Sequence, residues 1–174
     1  MKPPMKTNYQ NDFQTPAEAL KPLLPYLNKE WVIWECAEGK GNLTKALREE
    51  GFSVIGTDIL SSKDFLIWQP EKFDCIITNP PYSLKQKFLQ RAYSLHKPFA
   101  FLLPLTTFET AKRQKLFKRY GLEVIFLDKR INFETPSGKG SGAWFAVAWF
   151  TNGLNIGKQL TFASVAQPVE QTGL

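Results

Sequence analysis

Residues 77–83 read Ile-Thr-Asn-Pro-Pro-Tyr-Ser and close an apolar run that opens Phe-Asp-Cys-Ile. Pro80 and Pro81 lack backbone N–H donors and fix φ, so the segment leaving the run is stiff and presents carbonyls without competing donors. Asn79 adds a side-chain acceptor. Two rigid acceptors, the Asn79 side-chain oxygen and the Pro80 carbonyl, can take both hydrogens of a planar primary amine and free its lone pair to meet an electrophile. Tyr82 would then lie on the ring that bears the amine. Base–aromatic stacking contributes about 1–3 kcal/mol, whereas each hydrogen bond contributes about 0.5–1.5 kcal/mol net. Tyr82 should therefore hold the ring, while the acceptors matter most as charge grows on nitrogen in the transition state. In a plainer account Pro-Pro ends a strand, Asn79 forms a turn and Ser83 caps the next helix. That account explains each residue but not their order behind the features upstream.

Those features begin at 34–43, Trp-Glu-Cys-Ala-Glu-Gly-Lys-Gly-Asn-Leu. Gly39 and Gly41 let the backbone turn sharply and approach a ligand, and the following helix offers its N-terminal amides. Glu35 stands at the strand tip as an acidic acceptor. The same Gly-x-Gly pattern also serves ordinary chain reversal. Asp58 follows in Gly56-Thr57-Asp58, about 20 residues on, where a carboxylate can take both hydroxyls of a ribose. Position 44 is threonine, so the third glycine of a dinucleotide fingerprint is missing, and Glu35 and Glu38 would repel a pyrophosphate. A cationic or neutral nucleoside-bearing cofactor fits better. Asp64 and Phe65 are candidates for holding an adenine, by its exocyclic amine and its face; a turn cap followed by a core phenylalanine is the competing reading.

Six apolar runs must carry these residues: 31–36, 52–58, 73–79, 99–105, 122–128 and 144–150. Helical spacing fills 42–50, 84–94 and 109–120, with an earlier helix over about 16–27. Near-continuous apolar strands alternating with helices predict an α/β fold with a mostly parallel sheet covered on both faces, and ligands beyond the carboxyl ends of its strands. With 174 residues, 43% of them hydrophobic, the chain suits one core, so 1–174 is read as a single domain with 1–12 and about 160–174 loose. Cys36 and Cys75 fall in apolar strand-end positions and imply no disulfide framework, which fits a reducing cytoplasm. No apolar run approaches the roughly 18 residues of a membrane span. No Cys/His spacing fits zinc, and no metal is expected. His96, before Pro98 in a connecting segment, reads as a surface residue.

Asn79-Pro80-Pro81-Tyr82 with its upstream features resembles the S-adenosylmethionine-dependent amino-methyltransferases that carry an Asp/Asn-Pro-Pro-aromatic tetrapeptide. The resemblance runs from Phe13, Thr15 and Pro16, similar to the family's N-terminal cofactor-covering segment, to the last strand near Phe150. It implies a Rossmann-like class I methyltransferase fold with S-adenosylmethionine as cofactor. It further implies that Glu35, Ala37, Gly39 and Gly41 line the methionine moiety, that Asp58 holds the ribose with Ile59 beside it, and that Asp64 and Phe65 hold the adenine. Asn79 would border both cofactor and substrate. Cys36, where the family often has proline, and Glu38, where it has a small residue, are departures. Cofactor motifs that precede the tetrapeptide match the family's gamma order.

The family's substrates, by resemblance, are adenine N6 in DNA or RNA, cytosine N4, or a protein glutamine. A formal charge of +6 favours a polyanion. Lys85, Lys87 and Arg91 follow the tetrapeptide, and a later helix carries Lys112, Arg113, Lys115, Lys118 and Arg119, enough for a basic face or merely a solvated one. Lys139 lies in Ser-Gly-Lys-Gly-Ser-Gly (137–142), either a loop that approaches phosphates or a plain hairpin. Phe133 could flank a target base, with a core role as the alternative. Adenine N6 in DNA is the leading expectation. RNA adenine N6, protein glutamine N5 and a non-catalytic cofactor-binding or anti-restriction module are the alternatives. No separate target-recognition domain is foreseen.

Overall fold

The computed structural model of the chain describes residues 14–135, 138–139, 145–157, 160–163 and 165; for 134–135, 138–139 and 160–163 the backbone alone is placed. The strands are β1 (Val32–Glu35), β2 (Ser53–Gly56), β3 (Cys75–Thr78), β4 (Phe99–Pro104), β5 (Glu123–Leu127), β6 (Glu134–Thr135), β7 (Gly138–Lys139), β8 (Val147–Asn152) and β9 (Leu160–Ala163). The α-helices are α1 (Asn42–Glu49), α2 (Lys85–Ser94) and α3 (Ala111–Tyr120). Seven strands form one sheet in the order β2-β1-β3-β4-β8-β5-β9, and β6 and β7 form a separate two-stranded ribbon. β2, β1, β3 and β4 run parallel, β8 runs antiparallel between β4 and β5, and β9 adds parallel to β5. All six expected strands are present, with the two-faced packing their composition predicts.

Alternate residues of each strand enter opposite cores. Ile33, Cys75, Ile77, Ala100, Leu102, Ile125 and Trp149 face a cluster closed by α1 through Leu43, Ala46 and Leu47, and by a 3-10 helix, Ala17–Tyr26, through Ala19, Leu20 and Leu23. Trp34, Ile76, Phe99, Phe101, Leu103, Val124, Ala148 and Phe150 face the other cluster, closed by Phe88, Leu89 and Ala92 of α2 and by Leu116 and Phe117 of α3. The first helix is 3-10 rather than α because Pro22 and Pro25 lie inside it and supply no N–H for a regular ladder. Its anchor is Trp149, whose indole donates to the Ala19 carbonyl at 2.7 Å. Cys36 and Cys75 are free and buried, and burial pushes both thiols up, away from reactivity.

One reading of the C-terminal third changes, and one of two open readings of it is met. Residues 160–163, expected to be loose, form β9, and Val165 is buried with its N–H donating to Asp128 Oδ1 at 3.1 Å. The glycine-rich stretch after Phe133 contains a hairpin: Glu134 pairs with Lys139 and Thr135 with Gly138.

The chain leaves β1 outward to β2 and returns past β1 to β3. In a parallel sheet that reversal opens a crevice between the carboxyl ends of β1 and β3.

Candidate active site

A cleft of about 290 Å³ occupies that crevice, lined by Gln14, Thr15, Glu35, Ala37, Glu38, Gly39, Leu43, Asp58, Ile59, Leu60, Asn79 and Pro81. Residues far apart in sequence meet here because β1, β2 and β3 are in register, Glu35 opposite Gly56 and Trp34 opposite Ile76, so all three ends stop at one level.

Glu35, at the tip of β1, is 1% exposed. Its Oε1 accepts the Ala37 N–H at 3.0 Å and the Thr78 hydroxyl, tying the β1 turn to the last residue of β3 before Asn79. Burial pushes its pKa up to about 8, and the neighbouring carboxylates Glu38 and Asp58 push the same way. The turn that follows passes through Gly39 and Gly41 at φ +53° and +81°, conformations that favour glycine. A Cβ on Gly39 would stand 2.8 Å from Gln14 Nε2. Gln14 caps this turn from above, its Oε1 accepting the Lys40 N–H at 3.1 Å. Glu38, the departure in the motif, lies with its carboxylate across Gly56, where a Cβ would meet Oε2, and accepts the Thr44 hydroxyl at 3.1 Å.

Asp58 accepts the Gly39 N–H through Oδ2 at 3.1 Å and the Leu60 N–H through Oδ1 at 3.0 Å. A carboxylate has about four lone-pair sites, so these bonds orient Asp58 and leave acceptors for a diol. Ile59 and Leu60 follow, 64% and 92% exposed on the cleft wall.

The third wall is the tetrapeptide. Asn79 Oδ1 and the Tyr82 hydroxyl are buried, Pro80 is buried and Pro81 lines the cleft. The Tyr82 ring is only partly covered, and burial of its hydroxyl pushes that group up, keeping it a phenol. Pro81 leads into a 3-10 turn, Tyr82–Leu84, that runs straight into α2, whose N-cap position is Leu84. Phe145 packs edge-on against Tyr82 with centroids 5.7 Å apart, and Phe133, 3% exposed, stacks on Phe145 at 6.4 Å. Among the described residues Phe145 is an aromatic neighbour of Tyr82, with Phe133 behind it in the core.

Among the expected cofactor residues, Thr15, Glu35, Ala37, Gly39, Asp58, Ile59 and Asn79 line the cleft; Gly41 caps α1 just outside, and Pro16 caps the first 3-10 helix. Phe13 lies outside the described residues. Asp64 and Phe65 lie elsewhere: Phe65 is 2% exposed, stacked on Phe88 at 4.7 Å and packed on Trp34, while Asp64 Oδ1 caps its own turn through the Leu66 N–H. Phe65 is a core residue because the β1 face it covers carries Trp34. Gln14, Leu43 and Leu60 were not singled out in the sequence; Leu60, an exposed leucine directly after Asp58-Ile59, was the readable signal. Lys112 is exposed on α3, but Arg113 is buried, turned into the loop after β4. Lys139 is placed by its backbone alone. His96 is exposed. Among the described residues no cluster of metal-ligating side chains occurs, and no helix is long and apolar enough to cross a membrane.

No protein-family model and no curated protein matches the chain. Solved structures do. A Listeria monocytogenes protein described as a class I S-adenosylmethionine-dependent methyltransferase superposes with a TM-score of 0.54 at 15% identity, over 96% of this chain and 69% of its own. The fold is that of class I methyltransferases. A Vibrio vulnificus protein described as the modification subunit of a type I restriction enzyme gives 0.55 at 14% identity, over 83% of this chain and 45% of its own. A Plasmodium falciparum dimethyladenosine transferase gives 0.51 at 13% identity, over 80% of this chain. The chain spans 45% of the Vibrio protein's length and 62% of the Plasmodium protein's. At these identities the likeness concerns the fold; function has to be argued from the cleft.

Proposed function

We propose that the chain is an S-adenosylmethionine-dependent methyltransferase acting on an exocyclic amine of a nucleic acid, with adenine N6 in DNA the favoured target. The observation that carries this reading is the placement of Asn79 and Pro81 in one cleft with the Gly39 turn and Asp58.

The residues present fit the cofactor. Glu38 and Asp58 suit a ligand with an ammonium and a sulfonium better than a pyrophosphate. Asp58 offers lone pairs to a ribose, and Ile59 and Leu60 give an adenine an apolar wall where the sequence suggested Asp64 and Phe65. Gln14 and Thr15 close the cleft from the N-terminal side. When bound, S-adenosylmethionine would supply an electrophilic methyl group, the S–CH3 bond breaking and the sulfonium leaving as a neutral thioether.

The remaining work belongs to the chain. The Asn79 side-chain oxygen and the Pro80 carbonyl accept both hydrogens of the target amine and direct its lone pair at the cleft, and Tyr82 stacks on the base. As the N–CH3 bond forms, the amine proton becomes acidic and leaves to solvent, so no strong base is required. These acceptors gain strength as positive charge develops on nitrogen. A base in a duplex must leave the stack, at a cost of a few kcal/mol that exposed Lys112, Lys115, Lys118 and Arg119 on α3, together with Lys139, would offset. The Vibrio and Plasmodium likenesses support a nucleic-acid substrate as analogies of fold.

Incubation with tritiated-methyl cofactor and separate pools of DNA, RNA and protein tests the reading. Label in DNA as N6-methyladenine is expected; label in glutamine of the protein pool alone would replace the proposed substrate, and no label anywhere would leave a binding module.

A further inference from the structure

The ligand read into the cleft carries an ammonium, yet the carboxyl at the tip of β1 meets it uncharged. We propose that Glu35 selects the amino-acid end of that ligand by exchange: the proton on Glu35 Oε2 leaves to solvent as the ligand's ammonium takes its place. The inference rests on the cofactor reading above and adds which group is recognised and what its recognition releases.

Glu35 lines the cleft but is only 1% exposed. The charged groups that face it are both acidic. Glu38 comes from the turn after β1, its N–H donating to the Thr57 carbonyl at 3.0 Å, and Asp58 follows β2, fixed to the same turn through the Gly39 N–H. Cys36, the remaining titratable neighbour, is buried with its thiol pushed up. Gln14, Thr15 and Asn79, which share the cleft wall, and Thr78 are neutral. Among the described residues no lysine or arginine nitrogen lies within 4.0 Å of the carboxyl. A carboxyl withdrawn from water beside two carboxylates, with no cation to pair with, keeps its proton. Its pKa, pushed up to about 8, agrees with that state.

Hydrogen bonding decides where that proton sits. Oε1 accepts the Ala37 N–H at 3.0 Å and the Thr78 hydroxyl, which occupies both its lone pairs, and among the described residues Oε2 accepts none. Thr78 is wholly buried at the end of β3, so the carboxyl is clamped between two strand ends by one oxygen and presents the other, protonated, to the cleft. An O–H donates, and so does an ammonium, so the two oppose each other until the proton goes. The Oε2–H bond breaks, its proton passes to solvent, and Oε2 becomes the acceptor of a charge-assisted hydrogen bond. The ammonium keeps its own protons, and one ion pair forms where none stood before. The two bonds to Oε1 favour the charged form and hold the carboxyl in place through the exchange. A sulfonium carries no N–H, which leaves the ammonium as the group that Oε2 can bond.

Calorimetry of S-adenosylhomocysteine binding, repeated in two buffers of different ionisation enthalpy, counts the protons released without any turnover. At pH 7 the natural protein should release about 0.9 of a proton per molecule bound, and its affinity should rise about tenfold between pH 6 and pH 7. 5′-Methylthioadenosine, which shares the adenosine and lacks the ammonium, should bind with no release. Glu35→Gln, which copies the shape of the uncharged form, should release none with either ligand and bind S-adenosylhomocysteine with an affinity that is flat over the same range. Thr78→Val removes a bond that favours the charged form and should carry the rise in affinity to higher pH, whereas Thr78→Ser should leave it in place; thermal melts verify that each variant folds. Binding of S-adenosylhomocysteine without release, equal release with 5′-methylthioadenosine, or release that survives in Glu35→Gln overturns the exchange while leaving the cofactor reading intact. Binding of neither ligand to the natural protein overturns that reading and the exchange with it.

Discussion

Glu35 sets a pH dependence that one side chain can test. Below its ordinary pKa of 4.5 the carboxyl is protonated in the folded and the unfolded chain alike. As pH rises the unfolded chain ionises first, and stability is lost until the folded group ionises too, at about 8. At pH 7 that loss is about 3 kcal/mol. Glu35→Gln should therefore melt higher than the natural protein at pH 7 and converge with it near pH 4, as calorimetry at a series of pH values would show. A gap that widened toward acid would contradict the buried, protonated state. Gly39 makes a second case. Alanine there is strained at φ +53° and presses on Gln14, at about 1–2 kcal/mol, so Gly39→Ala should lower the melting temperature and weaken cofactor binding together. The sequence displayed both residues, since a strand-tip carboxylate and a Gly-x-Gly turn are local patterns. It misplaced Asp64 and Phe65 because an Asp-Phe pair reads the same whether the ring faces a ligand or Trp34. It misplaced Arg113 because helical spacing gives a face, and carbonyls from another segment decide what that face meets.

Elements were more legible than side chains. The six strands expected from the sequence lie in apolar runs because both faces of the sheet are covered, and such runs stand out. β9 did not stand out: in Leu160–Ala163 the apolar residues are interrupted by Thr161, and no continuous apolar run marks the strand. The first helix was visible, but its 3-10 character follows from prolines that helical periodicity alone does not weigh. Its position over the cleft depends on Trp149. Trp149→Phe would leave the buried Ala19 carbonyl without that donor, a cost of about 1–3 kcal/mol, and amide exchange across residues 17–26 should quicken more than exchange in β3 or β4. Uniform acceleration throughout the sheet would mean that the indole supports the core at large and not this helix.

At the scale of the whole molecule, a +6 chain with lysines and arginines along α2 and α3 should bind nucleic acid in a salt-dependent way. For single strands the logarithm of affinity falls with the logarithm of salt at about 0.7 per phosphate neutralised, so four to six contacts give a slope of about −3 to −4. A slope near zero would favour a neutral peptide substrate. The fold supplies a cleft at the sheet's switch point, and the account stands on the tetrapeptide acting at its edge upon an amine. The most direct measurement pairs cofactor calorimetry with methyl-transfer kinetics on Asn79→Ala. The account predicts cofactor affinity within a fewfold of the natural protein and kcat reduced by a hundredfold or more; equal loss of binding and turnover, or undiminished turnover, would contradict it.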